Sequence, residues 1–196
     1  PFTPSSSPFK TEKIEVTVMK TGLVTGAIHA LKKGDVVGIR GPYGKPYPLE
    51  NFAGKEVLLV GGGVGLAPLR SLFFSLLHTI NAYEKITFCC GAKTPADYIY
   101  KNQILDEWLR YSEKMPVSFR ITVDKKDEGW NFMEGLVTTT LDNLDIKISN
   151  SVAVVCGPPV MMRFTTLKLL DLGYSDSDIY LSMERKMYCA VGHCRH

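Results

Sequence analysis

Glu56-Val-Leu-Leu-Val60 runs directly into Gly61-Gly-Gly-Val-Gly-Leu-Ala-Pro68, and this join decides the fold. The first five residues form a short apolar run of the kind found in buried parallel strands. The glycines that follow let the backbone approach a ligand closely and take up positive φ. A helical pattern then covers about 66–80. Strand, glycine loop and helix in this order present free N–H groups and the positive end of a helix dipole to an anion. The spacing G-x-G-x-x-G is broken, because Gly63 and Gly65 fit but Pro68 holds the last place. A purely structural turn is the plain alternative for the loop taken alone.

The same alternation continues downstream. Lys85 to Cys90, Val117 to Val123, Val152 to Cys156 and Ile179 to Ser182 read as four more strands. Helical patterns lie between them at about 96–113, 133–142 and 159–172, the last stopping before Gly173, a natural C-terminal cap. Residues 51–182 are therefore expected to form an α/β domain with five parallel strands and a Rossmann-like arrangement. Ligands of such sheets bind beyond the carboxyl ends of the strands. The fourth strand ends in Cys156-Gly-Pro-Pro-Val-Met161. Pro158 and Pro159 cannot extend a strand but suit a first helical turn. This holds Cys156 at the sheet edge, although a buried core cysteine is the commoner fate of a free thiol.

Residues 1–50 read differently. Lys13-Ile-Glu-Val-Thr-Val-Met-Lys20 alternates polar and apolar, the period of a half-buried strand. Val36 to Arg40 reads as a second strand, with one or two helical turns over 27–32 between them. The Pro/Gly-rich stretch Gly41 to Pro48 marks a seam between two domains.

Composition narrows the function. Of 196 residues, 45% are hydrophobic and 22% charged, ordinary for a globular chain. A net charge of +3 without a basic run gives no footprint for nucleic acid. No apolar stretch reaches the roughly 20 residues of a membrane span, and no signal peptide is evident. The five cysteines are odd in number, and Cys89 and Cys90 point to opposite faces of a strand. A disulfide framework does not fit, and a cytoplasmic setting does. His29, His78, His193 and His196 are scattered and suggest no triad. The chain opens on Pro1 without Met and closes directly after a cysteine-bearing segment, so a piece cut at both ends is expected.

Together, G-G-x-G-x-A-P and, about ninety residues later, C-G-P-x-x-M resemble the ferredoxin–NADP reductase superfamily. The resemblance implies a pyrophosphate of NAD(P)H at Gly62, Gly63, Gly65, Ala67 and Pro68. It implies a nicotinamide near Cys156, Gly157, Pro158 and Met161. It also implies that residues 1–50 are part of a flavin-binding β-barrel. Pro1-Phe-Thr-Pro-Ser-Ser6 resembles the end of the flavin signature R-x-[YF]-[ST]-x-x-S, although on composition alone it is a Ser/Pro tail. Phe2 would lie against the ring of FAD, Thr3 would hydrogen-bond near flavin N5, and Ser5 belongs to the same segment. Gly22, Val24 and Thr25 resemble the segment that holds the FAD pyrophosphate. Cys156 and Thr3 are then the residues at the reacting centre, Cys156 in a positioning role and not as a nucleophile. Lys93 follows the second strand. It is either a cation for a 2′-phosphate or a solvated lysine, and the choice between NAD and NADP stays open.

Met183-Glu-Arg-Lys-Met-Tyr-Cys-Ala-Val-Gly-His-Cys194 narrows the resemblance. Cys189 and Cys194 have the C-x4-C spacing that begins a plant-type [2Fe–2S] site. The third ligand would fall just after His196, so residues 183–196 are not expected to hold a cluster by themselves. Zinc on Cys and His is an alternative, as are unrelated surface cysteines. Nucleotide domain followed by this segment is similar to flavin/iron–sulfur electron-transfer subunits of sulfhydrogenase, anaerobic sulfite reductase and dihydroorotate dehydrogenase. The implied partner is a catalytic redox subunit of a hydrogenase or sulfite reductase-like complex, docked on an exposed apolar patch near the C-terminus. A stand-alone NAD(P)H–flavin reductase and a non-catalytic nucleotide-binding module are the alternatives.

Overall fold

The computed structural model describes residues 2–183. Its centre is a six-stranded parallel sheet: β1 (Glu56–Gly62), β2 (Lys85–Ala92), β3 (Val117–Val123), β4 (Met133–Glu134), β5 (Ser151–Cys156) and β6 (Ile179–Leu181), in the order β4-β3-β2-β1-β5-β6. Five strands are expected from the sequence. The sixth is the two-residue β4, which pairs Thr122 with Met133 and Val123 with Glu134 where a helix start was expected. Trp130 Nε1 donates to the Met133 carbonyl at 2.9 Å, and the Gly135 N–H donates to the Val123 carbonyl at 2.8 Å. Such edge contacts leave no period in the sequence.

All seven residues of β1 are buried. Val57 and Leu59 pack on one face with α2 (Leu66–His78), Phe88 and Trp108. Leu58 and Val60 pack on the other with α3 (Pro159–Asp171), Val137 and Leu141. A parallel strand covered on both faces reads as an unbroken apolar run, which is why the sequence shows it clearly. The helical patterns at 96–113 and 133–142 take other forms. Gln103–Glu107 is a π-helical turn, and Trp108–Glu113 and Val137–Leu141 are 3-10 helices.

Residues 2–50 contain α1 (Leu23–Ala30), which buries no residue, and an isolated antiparallel bridge between Pro4 and Val16. The alternating runs 13–20 and 36–40 form no ladder among the described residues, and Ile14, Val36 and Ile39 are well exposed. Alternation marks a face that suits burial, but a strand needs a neighbour to bond.

Candidate nucleotide site at the strand-order switch

The chain steps outward from β1 to β2, β3 and β4, then returns to lay β5 on the other side of β1. The strand order reverses there, which opens a crevice between the carboxyl ends of β1 and β5. Gly61 and Cys156 are register partners across that ladder. The loops that follow them touch backbone to backbone. A Cβ on Gly65 would lie 2.3 Å from the Cys156 carbonyl oxygen and 2.6 Å from the Gly157 Cα. Only glycine permits this approach. Met161 fills the space between the loops, since a Cβ on Gly62 would sit 2.4 Å from its Sδ and one on Gly157 2.6 Å. Gly63 has φ +55°, with open space where a side chain would stand.

Two helices start at this crevice. α2 begins at Leu66 and α3 at Pro159, each 13 residues long, and no side chain caps either N-terminus. Pro68 lies in the first turn of α2 and Pro159 opens α3. Proline costs nothing there, because the first-turn N–H groups have no intrahelical acceptor. Two aligned dipole ends and two glycine loops make an electropositive cradle of backbone groups.

Cys156 is 6% exposed, and its Sγ donates to the Ser182 carbonyl at 3.5 Å. Tyr47, from the Pro/Gly seam, is pushed up to about 12 chiefly by burial, with Cys156 near it. The thiol therefore borders the seam, beside β6.

The expected flavin residues are split. Phe2 and Thr3 are exposed. Ser5 is buried, and its hydroxyl meets the Glu15 carbonyl at 3.3 Å and Thr17 Oγ1 at 3.1 Å, so it braces the segment. Gly22 and Thr25 shape the start of α1. Thr25 Oγ1 accepts from the N–H groups of Thr21 and Gly22 at 2.8 and 2.9 Å. Val24 is 70% exposed beside them. Cys189 and Cys194 lie outside the described residues. Among those described, no group of three or more His, Cys, Asp or Glu is placed to hold a metal, and no helix is long and apolar enough to cross a membrane.

The sequence gives no warning of Arg70. From the second turn of α2, its Nη1 donates to the Ser5 carbonyl and to Glu15 Oε2 (2.8 Å), and its Nε donates to Gln103 Oε1 (2.8 Å). These partners come from three separate stretches of chain, so no local spacing announces them.

From its start at the crevice, α3 turns an apolar stripe outward. Val160, Phe164 and Leu167 recur at helical spacing and are 63%, 55% and 47% exposed. Beside them Arg163, Leu181 and Met183 help line a groove of about 320 Å³.

A parallel sheet with its order reversed at a glycine-lined crevice, flanked by two uncapped helix starts, defines a nucleotide-binding oxidoreductase domain. The chain belongs to the oxidoreductase NAD-binding domain family, whose model matches residues 59–166. It is 33% identical to the sulfhydrogenase 2 gamma subunit of Pyrococcus furiosus, over all of this chain and 70% of the relative. It is 33% identical to a probable dihydroorotate dehydrogenase B (NAD(+)) electron transfer subunit of Methanothermobacter thermautotrophicus, over 93% of this chain and 60% of the relative. Among solved structures it resembles an NADH-dependent reduced ferredoxin–NADP oxidoreductase, with TM-score 0.74 and 28% identity, over 99% of this chain and 63% of that one. The resemblance to ferredoxin–NADP reductases in the sequence is thus borne out.

Proposed function

We propose that the chain is the nucleotide-handling part of an electron-transfer subunit. It passes electrons between NAD(P)H and a catalytic redox subunit of a hydrogenase or sulfite reductase-like complex in the cytoplasm. The observation that carries this reading is the backbone contact of Gly65 with Cys156 and Gly157 at the strand-order switch. It brings the glycine loop and the Cys156-Gly157 turn side by side beyond the carboxyl ends of β1 and β5, where an extended dinucleotide would cross the strand-order switch.

In this reading Gly62, Gly63, Gly65, Ala67 and Pro68 hold the pyrophosphate. Gly63 suits it best, because its open flank leaves room for phosphate oxygens. Cys156, Gly157, Pro158 and Met161 form the wall for the nicotinamide. Phe2 and Thr3 are exposed and available to FAD, and Gly22, Val24 and Thr25 offer an exposed helix start to its pyrophosphate. When bound, FAD supplies the conversion between a two-electron hydride donor and a one-electron acceptor. The protein's part is to bind, to orient and to keep water from the contact. Residues 1–50, 51–182 and 183–196 divide as flavin, nucleotide and cluster segments, with Cys189 and Cys194 as ligands toward a [2Fe–2S] centre. The apolar stripe of α3 is the surface offered to the partner subunit.

The test is a fluorescence titration of the full-length protein with NADH and NADPH. Wild type is expected to bind one of them saturably. Gly65→Ala pushes a methyl into the Cys156 backbone and is expected to weaken binding by about tenfold or more. Equal binding by the variant would contradict the assignment of the crevice.

A further inference from the structure

We propose that Arg70 is a positioning residue that locks the segment bearing Phe2 and Thr3 onto α2, and so fixes it in register with the glycine loop that ends five residues before Arg70. Its link to electron transfer rests on the function proposed above. The lock itself rests on geometry alone.

The Arg70 side chain is only 11% exposed. Its guanidinium meets the Ser5 carbonyl, the Glu15 carboxylate and Gln103 Oε1. The guanidinium also lies over the rings of Phe74 and Tyr100, with centroids 5.0 and 4.9 Å away. A planar fork with flat cationic faces suits this cage, and an ammonium does not.

The cage closes on itself through the N-terminal segment. Tyr100 Oη bonds Thr17 Oγ1, which pairs with Ser5 Oγ. Ser5 N–H donates to the Glu15 carbonyl at 2.7 Å, and Glu15 N–H donates to Ser6 Oγ at 3.2 Å. The two stretches around Ser5 and Glu15 thus hold each other, and Arg70 holds both. Tyr100 has φ +59°, a left-handed conformation that tyrosine rarely adopts. Gln103 opens a π-helical turn. Both irregularities aim a side chain at Arg70, and such features persist where the surroundings enforce them.

Ser5 is two residues from Thr3, at most about 7 Å of extended chain. Arg70 is two residues past Pro68 on the same helix. One side chain therefore spans from the proposed flavin-facing segment to the proposed pyrophosphate loop. A second fastener lies at the other end of α2, where Phe9 stacks on His78 at 3.6 Å. That contact keeps the segment attached without Arg70 but does not fix residues 2–5.

The test uses the full-length protein and the Arg70→Met and Arg70→Lys variants. Amide hydrogen exchange of residues 4–17, without nucleotide, is expected to speed up by about tenfold or more in Arg70→Met. Arg70→Lys should fall between the two, because it keeps a charge for Glu15 and loses the fork. Bleaching of bound flavin by saturating nucleotide is expected to slow by about tenfold to a hundredfold in Arg70→Met, with nucleotide affinity unchanged. Unchanged exchange at residues 4–17 would overturn the lock, and bleaching at the wild-type rate would overturn its role in alignment. Wild type that neither nucleotide bleaches would sink the proposed function, while the exchange data still decide the lock. If Arg70→Met does not fold, Glu15→Gln removes the carboxylate charge from the cage and Tyr100→Phe removes the bond from its ring to Thr17. Exchange unchanged in both would overturn the proposal.

Discussion

Tyr98 shows how one residue serves the site without touching it. It is 7% exposed and stacks on Trp130 at 5.7 Å. Its hydroxyl reaches the carbonyl of Thr122 at 3.0 Å and that of Cys90. These carbonyls belong to β3 and β2 near their carboxyl ends, so one side chain ties two strand ends together. Burial and the neighbouring cysteines push its pKa far above the ordinary tyrosine value, and it stays protonated as a donor. Tyr98→Phe leaves the ring in place and removes the one O–H that the two buried carbonyls share. It is expected to cost about 1–3 kcal/mol, which thermal unfolding would register as a drop of roughly 2–4 °C for each kcal/mol. An unchanged Tm would show that the clamp contributes nothing. The sequence marks Tyr98 as aromatic and no more, since its partners lie eight and twenty-four residues away.

At the scale of elements, α2 is the hinge of the account. One face sends Leu66, Leu69, Leu72, Phe73 and Leu76 into the core, and Arg70 stands off that face to meet the N-terminal segment. The Arg70 fork holds the Glu15 carboxyl below the usual carboxylate range, and Lys13 at 3.5 Å adds to it. A carboxyl whose folded pKa is lowered adds stability above its unfolded value, near 4.5, and loses it as pH falls through the folded one. Protection of residues 4–17 is therefore expected to hold from about pH 7 to about pH 4.5 and to fall below that. Arg70→Met should remove this pH dependence, and the same acid loss in both proteins would contradict the pairing. The apolar runs of β1, β2, β3, β5 and β6 were legible within two residues at each end. The stretches 96–113 and 133–142 were not, because they fold as π and 3-10 turns and a short edge strand. Helical period reports an apolar face; it does not separate α from 3-10 or π turns.

For the whole molecule, both core clusters lie on the sheet of residues 51–182, one on each face. The crevice was legible because two glycine motifs sit at strand ends that the fold makes neighbours. The link between residues 2–17 and α2 was hidden, because it joins side chains far apart in sequence. The central claim is that this link and that crevice together serve electron transfer. Its most direct test is the absorbance spectrum of the full-length protein, purified without oxygen, before and after NADH or NADPH. Flavin bands with a broad iron–sulfur shoulder, bleached by one nucleotide, are expected. A colourless protein, or bands that neither nucleotide changes, would contradict it.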